Sequence, residues 1–138
     1  MGKFNFKDEQ DFDEAVKKAE EFYATIGEIR CPYFGDKVTF NAAGLKHLKF
    51  KSDQVARPRL EQYARLKLLD LAPQVLSLSK TVQGISETKH FERIRMHSRT
   101  DTILKLVSYY EFIAVLDNVR VKVIVKQIEG GQRFFWSI

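Results

Sequence analysis

From about Thr88 to the last residue, apolar and polar side chains alternate with a period of two, and no other feature restricts the fold as strongly. That period places successive side chains on opposite faces of extended backbone, so the stretch predicts consecutive strands rather than helices. Phe91, Arg93 and Arg95 alternate with Glu92, Ile94 and Met96, and Leu106 to Leu116 is a long aromatic and β-branched run. Val119, Val121, Val123 and Val125 mark one face of the next strand, and Arg133 to Ile138 forms the last. Turns are expected at Asp117-Asn118 and Gly130-Gly131, so residues 104–138 should make three antiparallel strands. With the valines turned inward, Arg120, Lys122, Ile124 and Lys126 occupy the other face, and Arg133 or its neighbours approach them across the hairpin.

The first half follows the helical period. Asp8 can cap a helix in which Phe12, Ala15, Val16, Ala19, Phe22, Tyr23 and Ile26 share a face until Gly27 stops it. Ile29, Cys31 and Tyr33, a Gly35-Asp36 turn, and Val38 and Phe40 read as a hairpin. Asn41 caps the short helix "AAGLKHLKF", with Leu45 and Leu48 inward. Pro58 opens a longer helix with Leu60, Ala64, Leu68 and Leu71 as its apolar stripe and Arg57, Arg59, Arg65 and Lys67 solvated, until Pro73 interrupts it. Helices first and an antiparallel meander second predict an α+β fold with N-terminal helices packed on a C-terminal sheet, within a single domain spanning 1–138 and opened by a leading helix over 1–27.

A formal charge of +5 favours an anionic partner. One cysteine, Cys31, excludes an internal disulfide and a cysteine-rich zinc site; its expected place is a buried strand. The absence of a long apolar run or a signal-like N-terminus predicts a cytoplasmic protein without a membrane partner. Neither a phosphate-binding glycine loop, nor a His-Glu-x-x-His motif, nor a nucleophile elbow is present, so no metal and no cofactor is expected.

What remains is a set of histidine, arginine and lysine residues around a sheet, which suits metal-free cleavage of RNA. A base deprotonates the ribose 2′-hydroxyl, cations stabilise the phosphorane, and the leaving 5′-oxygen is protonated. His47, beside the inward Leu45 and Leu48, is the candidate base. Lys122 and Lys126, with Arg93 and Arg95 on the strand before, are candidate phosphate ligands, joined by Arg133; Ser137 can donate to a phosphate oxygen. His90 and His97 flank "FERIRM" and could also serve, and Trp136 is either core or a surface on which a base stacks.

The segments "TFNAAGLKHLKF" (39–50) and "YYEFIAVLDNVRVKVIVKQIEGGQRFFWSI" (109–138) resemble the phage-associated nucleases of the barnase, EndoU, colicin E5/D and RelE-like fold group. That resemblance covers residues 28–138. It implies a four-stranded antiparallel sheet after a helical part and a metal-independent ribonuclease, often a toxin, whose partners are RNA and an antitoxin or immunity protein. The matching positions are His47, the strand bearing Lys122 and Lys126, and Ser137 in the closing "FFWSI". Barnase-like enzymes carry a catalytic histidine near their C-terminus, whereas the last histidine here is His97. The two readings are therefore a metal-independent endoribonuclease, with His47, Lys122 and Ser137 catalytic, and a non-catalytic RNA- or protein-binding module on the same fold.

Overall fold

A computed structural model describes residues 6–52, 54–96 and 99–138; His97 lies outside them. Helix α1, Glu9–Ile26, is capped by the Asp8 carboxylate, which accepts from the Asp11 N–H at 2.9 Å. It buries Phe12, Ala15, Ala19 and Tyr23 and ends at Gly27, whose φ of 66° suits a residue without a Cβ. A hairpin of β1 (Glu28–Cys31) and β2 (Asp36–Thr39) follows, and Cys31 is fully buried in it as expected. Helix α2, Ala42–Lys49, is capped by Asn41; a small ribbon of β3 (Phe50–Ser52) and β4 (Val55–Ala56) leads to α3, Arg59–Leu68. A 3-10 turn at Leu69–Leu71 passes into α4, Ala72–Leu78, with Pro73 in its first turn, where a missing N–H costs nothing.

The remaining strands are β5 (Gly84–Met96), β6 (Arg99–Leu116), β7 (Val119–Ile128) and β8 (Arg133–Ser137). The last three account for the antiparallel succession expected over 104–138. Asp117 and Asn118 both adopt positive φ, the backbone of a two-residue hairpin turn matched to strand twist. The six-stranded sheet runs β1-β2-β8-β7-β6-β5, antiparallel except where β2 meets β8 at Thr39 and Phe134. The architecture is α+β, helices first and sheet second.

Val121, Val123, Val125, Phe112 and Phe135 turn one sheet face inward, where Leu48, Leu66, Leu69, Val75 and Leu76 from the helical half complete the core. Each such side chain fully removed from water contributes about 1.5–3 kcal/mol. Arg120 and Lys122 on the opposite parity of β7 are exposed, as alternation requires.

Three expectations change. In α3 the buried positions are Tyr63 and Leu66, continued by Leu69, not the stripe Leu60, Ala64, Leu68 and Leu71; Leu60 is 51% exposed. Both stripes fit a helical period, and tertiary packing selects the one that brings Tyr63 against Phe12. Of the arginines expected in solvent, Arg57 is only 8% exposed and Arg65 is partly buried, because both turn toward Glu61. The strand expected from Thr88 starts earlier, at Gly84. Strand β6 pairs with β7 only from Val107 onward, so residues 89–96 and 99–106 run on beyond the main sheet as a two-stranded ribbon. No helix among the described residues is long and apolar enough to cross a membrane.

Candidate active site

The site begins with a glycine. A Cβ at Gly44 would stand 2.3 Å from the Phe135 carbonyl oxygen and 2.8 Å from the Tyr23 hydroxyl, so only a bare Cα lets α2 lie this close to β8. The Asn41 side chain fixes the start of the helix by accepting from Gly44 N–H at 3.2 Å, and Tyr23 donates to the Asn41 carbonyl at 2.6 Å. Three residues along, on the same side of the helix, His47 meets the last strand.

That strand is bulged at the point of contact. Val125 is opposite Phe135 and Ile124 is opposite Ser137, which leaves Trp136 as the extra residue. A bulge re-aims the side chain and main chain it contains. Here the Trp136 carbonyl accepts from His47 Nδ1 at 3.0 Å, and the indole stacks on the imidazole with centroids 4.0 Å apart and planes 23° from parallel. A carbonyl can only accept, so Nδ1 carries the proton and Nε2 holds the lone pair.

The other face of the imidazole is covered by Arg57. One guanidinium nitrogen lies 3.4 Å from Nδ1 and 3.3 Å from Nε2. An atom equally near both ring nitrogens would collide with the carbon between them if it lay in the ring plane, so it sits above the ring, on the side away from Trp136. Arg57 also donates through Nε to the His47 carbonyl at 2.9 Å and through a terminal nitrogen to Glu61 at 2.8 Å. Arg65 donates to Ser137 Oγ at 2.5 Å and to the Ile138 carbonyl at 2.9 Å, and shares Glu61 at 3.2 Å. Lys126 Nζ lies over the Trp136 ring, 4.0 Å from its centroid, with Tyr109 on the neighbouring strand 5.6 Å away.

Three cations thus surround one histidine, and the Glu61 carboxylate lies between two of them. The electrostatics follow. Burial first, then the charge of Arg57 and more weakly of Arg65 and Lys126, lowers His47 to about 4 against the opposing pull of the Trp136 carbonyl. The ring is neutral at physiological pH. Although desolvation works against it, the Glu61 carboxyl is held below the usual range by Arg65 and Arg57. Arg57, Arg65 and Lys126 thus stand around His47, and Arg57 and Arg65 share the Glu61 carboxylate.

Of the residues singled out in the sequence, His47, Lys126 and Ser137 come together here, with Trp136 between the first two. Lys122 does not join them: it lies within 3.9 Å of Glu111, an ion pair on the outer face. Arg133 stacks on Phe34 at 4.4 Å and reaches Asp36 at 3.6 Å. Arg93 and Arg95 lie on the projecting ribbon, and so does His90. Sequence reasoning missed Arg57, Glu61 and Arg65, although their spacing of four was a signal for side chains sharing one helical face. No protein-family model, curated protein or solved structure matches the chain.

Proposed function

We propose that the protein is a metal-independent endoribonuclease whose centre is His47. The observation that carries this reading is a neutral histidine with a defined tautomer set among Arg57, Arg65 and Lys126. His47 Nε2 takes the proton of a ribose 2′-hydroxyl, whose oxygen attacks the adjacent phosphorus. Lys126, Arg57 and Arg65 balance the charge of the phosphorane, and Ser137, already polarised by Arg65, lines the same end of β8. The bond from phosphorus to the 5′-oxygen breaks, that oxygen takes a proton from water, and the product ends in a 2′,3′-cyclic phosphate.

The low basicity of His47 fits this scheme once substrate is considered. A bound phosphodiester cancels part of the field of Arg57, Arg65 and Lys126, so the imidazole gains basicity when RNA arrives. The resemblance noted in the sequence supports the same reading, through His47, Lys126 and Ser137, and extends it to a toxin-like role with a protein inhibitor.

A second reading rests on a different feature: both faces of His47 are occupied, by Trp136 and Arg57. In that case the histidine is a fixed element of a non-catalytic RNA-binding surface. One assay separates the two, using a labelled strand with one ribonucleotide in an otherwise deoxy background and excess EDTA. Cleavage at that nucleotide, a cyclic phosphate end, and at least a hundredfold loss in a folded His47→Ala variant are expected. A requirement for magnesium, or equal cutting of an all-deoxy strand, overturns the mechanism; binding without cleavage selects the second reading.

A further inference from the structure

Far from His47, the ribbon formed by residues 89–96 of β5 and 99–106 of β6 divides its residues unevenly. The register sets Lys89 opposite Leu106, Phe91 opposite Leu104, Arg93 opposite Thr102 and Arg95 opposite Thr100. Alternation puts these eight residues on one face, and that face holds three cations and no carboxylate. Arg99 and Asp101, which pair with each other at 3.3 Å, belong to the other parity. Lys89, Arg93 and Arg95 are exposed, and among the described residues none of them forms an ion pair. Phe91 is 76% exposed and Leu104, directly opposite, 48%. An exposed aromatic ring between unpaired cations, with threonine hydroxyls beside them, offers stacking to bases and charge-assisted hydrogen bonds to phosphates.

We infer that this ribbon is a second RNA contact, which holds the strand on one side of the cleaved bond. The inference rests on the RNA reading above. Eight paired positions give the ribbon a length of about 26 Å. Its base at Leu106 is five residues along β6 from Glu111, the residue across β7 from Ser137, which separates it from His47 by roughly 20 Å. The substrate class is therefore an RNA long enough to span that distance, and a strand of a few nucleotides engages only the His47 centre. By the same alternation, the cationic face of the ribbon continues the side of the sheet that bears Phe112, whereas Tyr109, Lys126 and Phe134, paired across β6, β7 and β8, lie on the opposite side.

The test measures binding of a 20-nucleotide 2′-O-methyl RNA, which cannot be cut, over a range of salt. The variant Lys89→Ala/Arg93→Ala/Arg95→Ala should bind at least tenfold more weakly at low salt, with the slope of log affinity against log salt reduced by about 2. Phe91→Ser should lose roughly tenfold without changing the slope, since stacking releases no counterions. Both should keep the wild-type unfolding midpoint. Cleavage of a four-nucleotide RNA should be the same in the triple variant as in the wild type. Unchanged affinity and slope for the 20-mer overturn the inference; loss of poly-glutamate binding with RNA binding intact also overturns it and assigns the ribbon to an acidic protein. A wild-type protein that cuts nothing yet shows the binding differences removes the nuclease reading and leaves the ribbon as an RNA contact.

Discussion

Two concentrations of positive charge lie far apart on this sheet, and the protein treats them differently. At the His47 end, Arg57 is buried to 8% exposure, Arg65 is partly buried, and Glu61, Ser137 and main-chain carbonyls hold both in place. On the ribbon, Lys89, Arg93 and Arg95 are solvated, and among the described residues none of them forms an ion pair. Desolvated, oriented cations act strongly on a neighbouring charge, and they suit chemistry on one phosphate. Solvated cations interact weakly and over many geometries, and they suit retention of a polyanion. The difference teaches that arginines of similar appearance in sequence are set in different environments by the partners that surround them.

The comparison breaks most readily at Gly44. Gly44→Val should cost about 4 kcal/mol or more, because its side chain meets the Phe135 carbonyl and the Tyr23 hydroxyl with no room to yield. Denaturant unfolding would measure this, and the loss of the His47 resonance shift caused by Trp136 would show α2 leaving β8. Next comes Arg57→Met, expected to cost about 3 kcal/mol, since the His47 carbonyl loses its donor and Glu61 one of its two arginines. The same variant should raise the basicity of His47, a change that a purely structural arginine elsewhere would not produce.

A smaller effect depends on pH. His47 has a folded value of about 4 against an ordinary 6.5. Between those limits the unfolded chain binds a proton that the native protein refuses, so stability falls as pH drops from about 6.5 to about 4 and is level with respect to this group above that window. Water screening of a partly exposed ring brings the expected change to about 1–2 kcal/mol. His47→Gln should flatten this part of the profile. The smallest effect belongs to the ribbon: Phe91→Ser should change stability by less than about 0.5 kcal/mol, as expected for a side chain that touches mainly solvent.

Much of the fold is legible in the sequence because its signals are local. Asp8 and Asn41 cap the helices expected of them, Asp117-Asn118 turns where the alternation breaks, and Val121, Val123 and Val125 face the core. The stripe of α3 was not legible, since Leu60, Ala64 and Leu68 satisfy a helical period as well as Tyr63 and Leu66 do, and only the packing of α1 distinguishes them. Half of the candidate site was visible in the same way. His47, Lys126 and Ser137 stand out by residue type, but the bulge that turns Trp136 onto His47 leaves no mark in the alternation of β8. Arg57 and Arg65 read as solvated because arginine usually is; their burial depends on Glu61 and on the proximity of β8, both tertiary facts. Sequence alternation places Arg93 and Arg95 on the same sheet as Lys126, but the length of β6 separates them.

The central claim concerns the response of His47 to a phosphodiester, and nuclear magnetic resonance titration of its imidazole measures that directly. In the free protein the ring should titrate near 4 with the proton on Nδ1, and adding a short 2′-O-methyl RNA should move the midpoint upward as the phosphate offsets Arg57, Arg65 and Lys126. A midpoint near 6.5 that RNA leaves unchanged would contradict the assignment of this cluster as the phosphate site.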